Sequence, residues 1–157
     1  MSAVATHAGV RRSTVYRHFP DEAALFEACT AHWAAANPPP DLDAWLVIGN
    51  PDECLGVALG DLYAFYRRTQ PMLENVFRDE TTVPLVQEHL AALRGYFARA
   101  RDTLVAGRQL RGSARRRTHV ALGHAIAFST WKSLAQDEGL NDAESVVLMR
   151  ALVAAAS

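Results

Sequence analysis

The stretch AGVRRSTVYRHFPDEAALFEA, Ala8 to Ala28, decides how this chain is read. Gly9 is the residue best able to take the positive φ that ends a helix, so the alanine-rich piece from Ala3 to Ala8 reads as a short helix stopped there. Ser13 is a good N-cap, and a second helix starting near it must end before Pro20. Asp21 caps a third, which runs through Leu25, Phe26 and Trp33 until Asn37 and the run Pro38-Pro39-Pro40 stop it. Two short helices around a Gly-Val turn form the helix-turn-helix pattern, whose second helix enters the DNA major groove. Between Met1 and Pro20 there are three arginines and no acid. Arg11, Arg12, Ser13 and Thr14 fall at the N-terminal end of the second helix, where unpaired N–H groups and the positive end of the dipole also favour a phosphate.

The whole chain has 157 residues, half of them hydrophobic, enough for one sizeable core or for a small head on a larger body. Alanine is abundant and period-two runs of Val, Ile and Thr are scarce, which predicts an all-α fold. The formal net charge of -1 argues against a generally basic coat for nucleic acid, so the cationic head is a local feature. Lys132 is the only lysine. Cys29 and Cys54 have no metal or redox spacing and read as small buried hydrophobes in a reducing compartment. The longest apolar stretches, Val120 to Trp131 and Val146 to Ala156, are broken by His124 and Arg150, and no signal-peptide pattern opens the chain. A cytoplasmic location without membrane contact is expected.

The body follows the proline run. Asn50-Pro51 supplies a cap and a proline at the first helical position, opening a helix through Leu55, Leu59, Leu62 and Phe65/Tyr66. Gln70-Pro71 is expected to open a shorter helix to Arg78, and Pro84 a long one through Leu90, Leu93, Phe97 and Leu104 to about Ala106. Ser113 is expected to cap a helix that continues to about Glu138, with Gly139 stopping it and Asn141 or Asp142 capping a last one. Domain bounds of 1–36 for the head with its connecting helix, and 37–157 for the body, follow from this punctuation. In the last two helices apolar or small residues lie on every side, and a helix apolar all round must be covered on both sides. A two-fold contact through residues 113–157 of a second copy supplies that cover; burial within the monomer is the other solution.

The residues of the opening stretch also carry a resemblance. Val4-Ala5, Ala8-Gly9-Val10, then Ser13-Thr14-Val15-Tyr16-Arg17-His18-Phe19-Pro20 and Ala24-Leu25 resemble the TetR family of bacterial transcriptional regulators. The resemblance implies a helix-turn-helix head, a helical ligand-binding and dimerisation body, and a dimer reading palindromic double-stranded DNA. By position it implies that Thr14, Tyr16 and His18 hold phosphates while Arg12, Ser13 and Arg17 reach base edges. The chemistry suits those roles, since hydroxyl and imidazole N–H groups position a helix on the backbone and an arginine can be bidentate to guanine. Arg11 is expected on the backbone or raising the local potential. For Tyr16, partial burial against Leu25 with the hydroxyl exposed is compatible with the same role.

Two departures stand out. Glu22 occupies the position where the family carries a phosphate-binding lysine; a carboxylate there stabilises the helix N-terminus but repels DNA. The family also places a complete helix ahead of the first one seen here. Without it, some of Val4, Ala8, Val10, Val15 and Phe19 are expected to lose cover. The favoured expectation is that the natural start lies upstream, because Thr14, Tyr16, His18 and Phe19 are all present; the alternative is a helical dimer that binds a small molecule or protein and has lost DNA binding.

For the body the resemblance implies a sensor. A small apolar or aromatic effector enters among the central helices, shifts the connecting helix Asp21 to Ala36, and releases a repressor from its operator. The aromatic and histidine candidates for its pocket are Tyr63, Tyr66, Phe77, His89, Tyr96, Phe97, His124, Phe128 and Trp131, although aromatics at helical spacing also build ordinary cores. No catalytic residue, metal site or cofactor is expected. G-x-S-x-G, H-E-x-x-H and a phosphate loop are all missing, and His119 with His124, or Cys29 with His32, falls short of a zinc ligand set. The basic run Arg108, Arg111, Arg115, Arg116 and Arg117 reads as a solvated face rather than a second DNA contact.

Overall fold

Gly9 stops the first helix as the sequence requires. Its φ is +65°, the Gly9 N–H donates to the Thr6 carbonyl at 3.2 Å, and the Val10 N–H donates to the Ala5 carbonyl at 3.0 Å. That pair of bonds is a Schellman motif, which satisfies the last carbonyls of a helix by taking one residue into the left-handed region. The helix so ended is α1, Ser2–His7, followed by α2, Arg12–His18, and α3, Glu22–Ala36. A Cβ built on Gly9 would meet nothing within 4 Å, so the glycine serves backbone conformation alone. Gly9→Ala is expected to loosen the turn by about 1–2 kcal/mol. Amide hydrogen exchange should speed up in α1 and α2 and stay unchanged in the body.

The computed structural model describes the backbone of all 157 residues and every side chain except that of His89. The chain divides into two units, Met1–Pro38 and Pro39–Ser157. In the first, Asp21 caps α3 by accepting the Ala24 N–H at 2.8 Å, and Asn37 closes it. Arg11 rather than Ser13 stands at the N-cap of α2, without a side-chain cap. The unit's buried apolar residues are Ala5 and Val15; Val4, Ala8 and Val10 are exposed and Phe19 is half-buried. Cys29 is exposed, contrary to its expected burial, whereas Cys54 is buried in the body. Its place on α3 explains this, because no residue of that helix is buried.

The second unit is a helical bundle. Helices α4 (Asp43–Leu46), α5 (Pro51–Asp79) and α6 (Pro84–Ala106) lead into α7 (Gly112–Ala125), α8 (Phe128–Lys132) with a π-helical turn Ser133–Asp137, and α9 (Asp142–Ala156). No strand occurs among the described residues, and the all-α reading holds. No helix among them is long and apolar enough to cross a membrane. Asn50 caps α5 through the Asp52 and Glu53 N–H groups, and Asn141 with Glu144 forms a capping box on α9.

Two boundaries differ from expectation. Pro71 opens no new helix but lies inside α5. An internal proline costs about 3 kcal/mol or more, yet Leu62, Tyr66, Thr69 and Leu73 are all buried and keep one stripe in phase across it. Pro71 itself is exposed, on the side away from that stripe. The second difference is the expected helix from Ser113 to about Glu138, which starts at Gly112 and is broken at Ile126–Ala127, where Ala127 is extended with ψ 138°.

The break is held from α5. Tyr63 donates its hydroxyl to the Ala125 carbonyl at 2.9 Å, and Tyr66 donates to the Ile126 carbonyl. Burial pushes both phenols well above the ordinary tyrosine pKa, so they remain protonated donors. Unfolded tyrosine ionises near about pH 10, so the stability these phenols supply is complete below that pH and is lost as the pH rises toward the folded-state values. Tyr66→Phe strands a buried carbonyl and is expected to cost about 1–3 kcal/mol. Urea unfolding should show the lower midpoint at unchanged slope; an unchanged midpoint refutes the role given to the hydroxyl.

Asp142 gathers three helices. It accepts Arg67 Nε and Nη2 at 2.9 and 2.6 Å and Trp131 Nε1 at 3.0 Å, and the Arg67 bond holds its carboxyl below the usual aspartate range. This contribution is present above the unfolded aspartate value and is lost as the pH falls. Trp45, on the short α4 that the sequence did not suggest, is 1% exposed and donates to Asp61 at 2.9 Å.

Candidate nucleic-acid interface and ligand cleft

Helix α2 presents one apolar residue inward and its polar residues outward. Val15 is buried, while Arg11, Arg12, Ser13, Tyr16, Arg17 and His18 are exposed and Thr14 is half-buried. With Val15 inward, positions 13 and 17 fall on the opposite side of a helix with 3.6 residues per turn, and 12 and 16 lie together on one flank. Arg12 and Tyr16, one turn apart, are joined: Arg12 Nη2 donates to the Tyr16 hydroxyl at 3.1 Å, and the guanidinium carbon lies 5.3 Å from the ring centroid. The hydrogen bond raises the Arg12 pKa further, so the group stays charged. Tyr16 keeps its own hydroxyl proton to donate, and the guanidinium keeps most of its five donors. Reading the residues one by one treats these two as independent; the structure makes them a pair.

A short helix, a Schellman turn and an exposed cationic second helix form a helix-turn-helix, the arrangement whose second helix suits the DNA major groove. Residues 1–29 match the family model described as bacterial regulatory proteins, tetR family. No curated protein and no solved structure matches the chain.

The body contains a cleft of about 700 Å³ lined from α5, α6, α7 and α8. Among the candidate aromatics, Phe77, Phe97 and Phe128 line it, with Phe77 and Phe128 stacked at 5.5 Å and 16°. Tyr63, Tyr66, Tyr96 and Trp131 lie instead in the packed core beside it, their polar atoms bound to Ala125, Ile126, Pro40 and Asp142. His124 is exposed and shares a 3.3 Å hydrogen bond with Thr130. The side chain of His89 lies outside the described residues.

Sequence reading missed the cleft's charges. Arg94 and Arg101 line it from α6 and Lys132 from α8, with Glu74 and Arg78 from α5. The signal was available: Arg94, Phe97, Ala98 and Arg101 recur at i, i+3, i+4 and i+7, one helix face. In the basic run, Arg108 is tied to Asp52 at 2.9 Å and to the Pro51 carbonyl at 3.0 Å, and Arg111, Arg115, Arg116 and Arg117 are exposed. Among the described residues no group of three or more His, Cys, Asp or Glu could hold a metal ion.

Proposed function

We propose that the chain is a ligand-responsive repressor that binds a palindromic operator as a homodimer and is released by a small apolar or aromatic effector. The observation that carries the DNA half is the exposed, arginine-bearing face of α2 behind a glycine turn. Thr14, Tyr16 and His18 hold phosphates in this reading, Arg12, Ser13 and Arg17 reach base edges, and Arg11 adds potential. Residues 1–36 act as the DNA-binding domain with α3 as its connecting helix, and 37–157 as the sensor and dimerisation domain.

The dimer reading is supported by apolar side chains left uncovered on the last helices. Val147 is 65%, Leu152 50% and Val120 64% exposed, while Ser145, Met149 and Val153 face inward. A second copy covering the α7 and α9 faces removes that surface from water at about 25 cal/mol per Å². The sensor reading is supported by the cleft, where Phe77, Phe97 and Phe128 offer flat apolar walls. An effector releases the operator only if it binds more tightly to the conformer whose recognition helices miss the half-site spacing of about 34–36 Å.

Gel-shift titration with the duplex upstream of the protein's own gene, at low and moderate salt, tests the reading. Sequence-selective binding that weakens steeply with salt is expected. Binding no stronger than to random duplex overturns it and leaves a helical dimer without an operator.

A further inference from the structure

Resting on the sensor reading of the cleft, we infer that its ligand carries a carboxylate on a flat apolar body, and that Arg101 binds the carboxylate. Lys132 is bound to Glu74 at 2.8 Å, Arg78 to Asp79 at 2.8 Å, and Arg94 to Glu80. Arg101 makes no ion pair among the described residues, and its Nε is buried without a hydrogen-bond partner. A buried donor left unmade is costly, and the guanidinium, which lines the cleft, has Nη donors that a carboxylate can accept from. The cleft therefore has one cation in excess, beside the stacked Phe77 and Phe128.

Gly123 keeps that arginine in place. A Cβ at this position of α7 would stand 3.3 Å from Arg101 Cδ and 3.4 Å from Nη1, so any larger residue would make the arginine stem give by a few tenths of an ångström. Glycine inside a helix is unfavourable by itself. Here the missing side chain gives the arginine stem a close fit against α7 at the cleft wall.

Calorimetric titration of the whole chain with 2-naphthoate and with the uncharged, equally shaped 2-naphthamide tests the inference. The wild-type chain should prefer naphthoate by about tenfold or more, the worth of a charge-assisted hydrogen-bond pair. Arg101→Gln should erase the preference while leaving naphthamide binding as it was. Arg94→Gln, whose cation is already paired, should keep it. Gly123→Ala retains the guanidinium but displaces it by a few tenths of an ångström, so the preference should fall by about threefold in a chain of undiminished helicity. Equal affinity for the two probes, a preference that survives Arg101→Gln, or no binding of naphthoate at about 1 mM overturns the assignment. Naphthoate bound through Arg101 with no effect on operator affinity keeps the assignment and removes the sensor reading. A neutral aromatic that binds in preference to naphthoate and releases DNA does the reverse.

Discussion

Leu152→Asp is expected to turn a dimer into a folded monomer and to lower operator affinity by about 10²–10⁴-fold. Leu152 is half exposed on α9 and flanks the stripe of the buried Met149 and Val153. In an isolated chain a polar residue there touches solvent, and surface substitutions of this kind stay within about 0.5 kcal/mol of neutral. In a two-fold interface the same carboxylate is buried in an apolar patch on each subunit, and the loss of its hydration opposes association. The DNA consequence follows from tethering: with two heads on one body the second half-site is met at high effective concentration, and a monomer loses that gain. Sedimentation velocity gives the first readout and gel shift the second. A variant that stays dimeric locates the interface elsewhere; a wild-type chain that is already monomeric removes the dimer from the proposal.

Arg17→Ala is expected to cost about 1–3 kcal/mol per half-site, hence about 2–6 kcal/mol for a dimer on a palindrome. Arg17 is exposed in the last turn of α2, on the face that Val15 leaves outward, so truncation removes no packing. A base-reading arginine loses affinity for the operator alone, and discrimination against substituted sites falls at the position it read. Arg11→Ala is the contrast. A residue acting through phosphate or potential weakens all duplexes alike and lowers the salt slope by about one per subunit. If Arg17→Ala weakens operator and random duplex equally, Arg17 is a backbone contact and the recognition face needs redrawing around Arg12 and Ser13. Tyr16→Phe adds a third pattern, because the hydroxyl that accepts from Arg12 also steadies that guanidinium.

The two units of the chain differ in how far their sequences carry. In the head, each feature rests on one or two neighbouring residues: Gly9 for the left-handed turn, Asp21 for the cap of α3, Pro20 for the end of α2. Local chemistry of that kind is visible in a linear reading. The same holds for Asn50-Pro51 and Asn141 with Glu144 in the body. Pro71 misled because its local cost was the only term in view. The buried stripe that outweighs it exists only once α5 is packed.

The cleft shows the limit most clearly. Aromatic residues drew attention in the sequence, yet Tyr63 and Tyr66 serve as hydroxyl donors to a broken helix, and the side chains that distinguish the cavity are charged. Which cation is neutralised depends on where Glu74, Asp79 and Glu80 come to lie, at separations along the chain from one residue to 58. By itself, the order of residues determined an all-helical chain, the bounds of most helices, and a basic helix-turn-helix head, since each is written in contacts within a few positions. Only the tertiary structure decided that α7 and α8 are separate, that α5 is continuous through Pro71, and that Arg101 makes no ion pair among the described residues, because burial and pairing are set by residues distant in sequence that folding brings together.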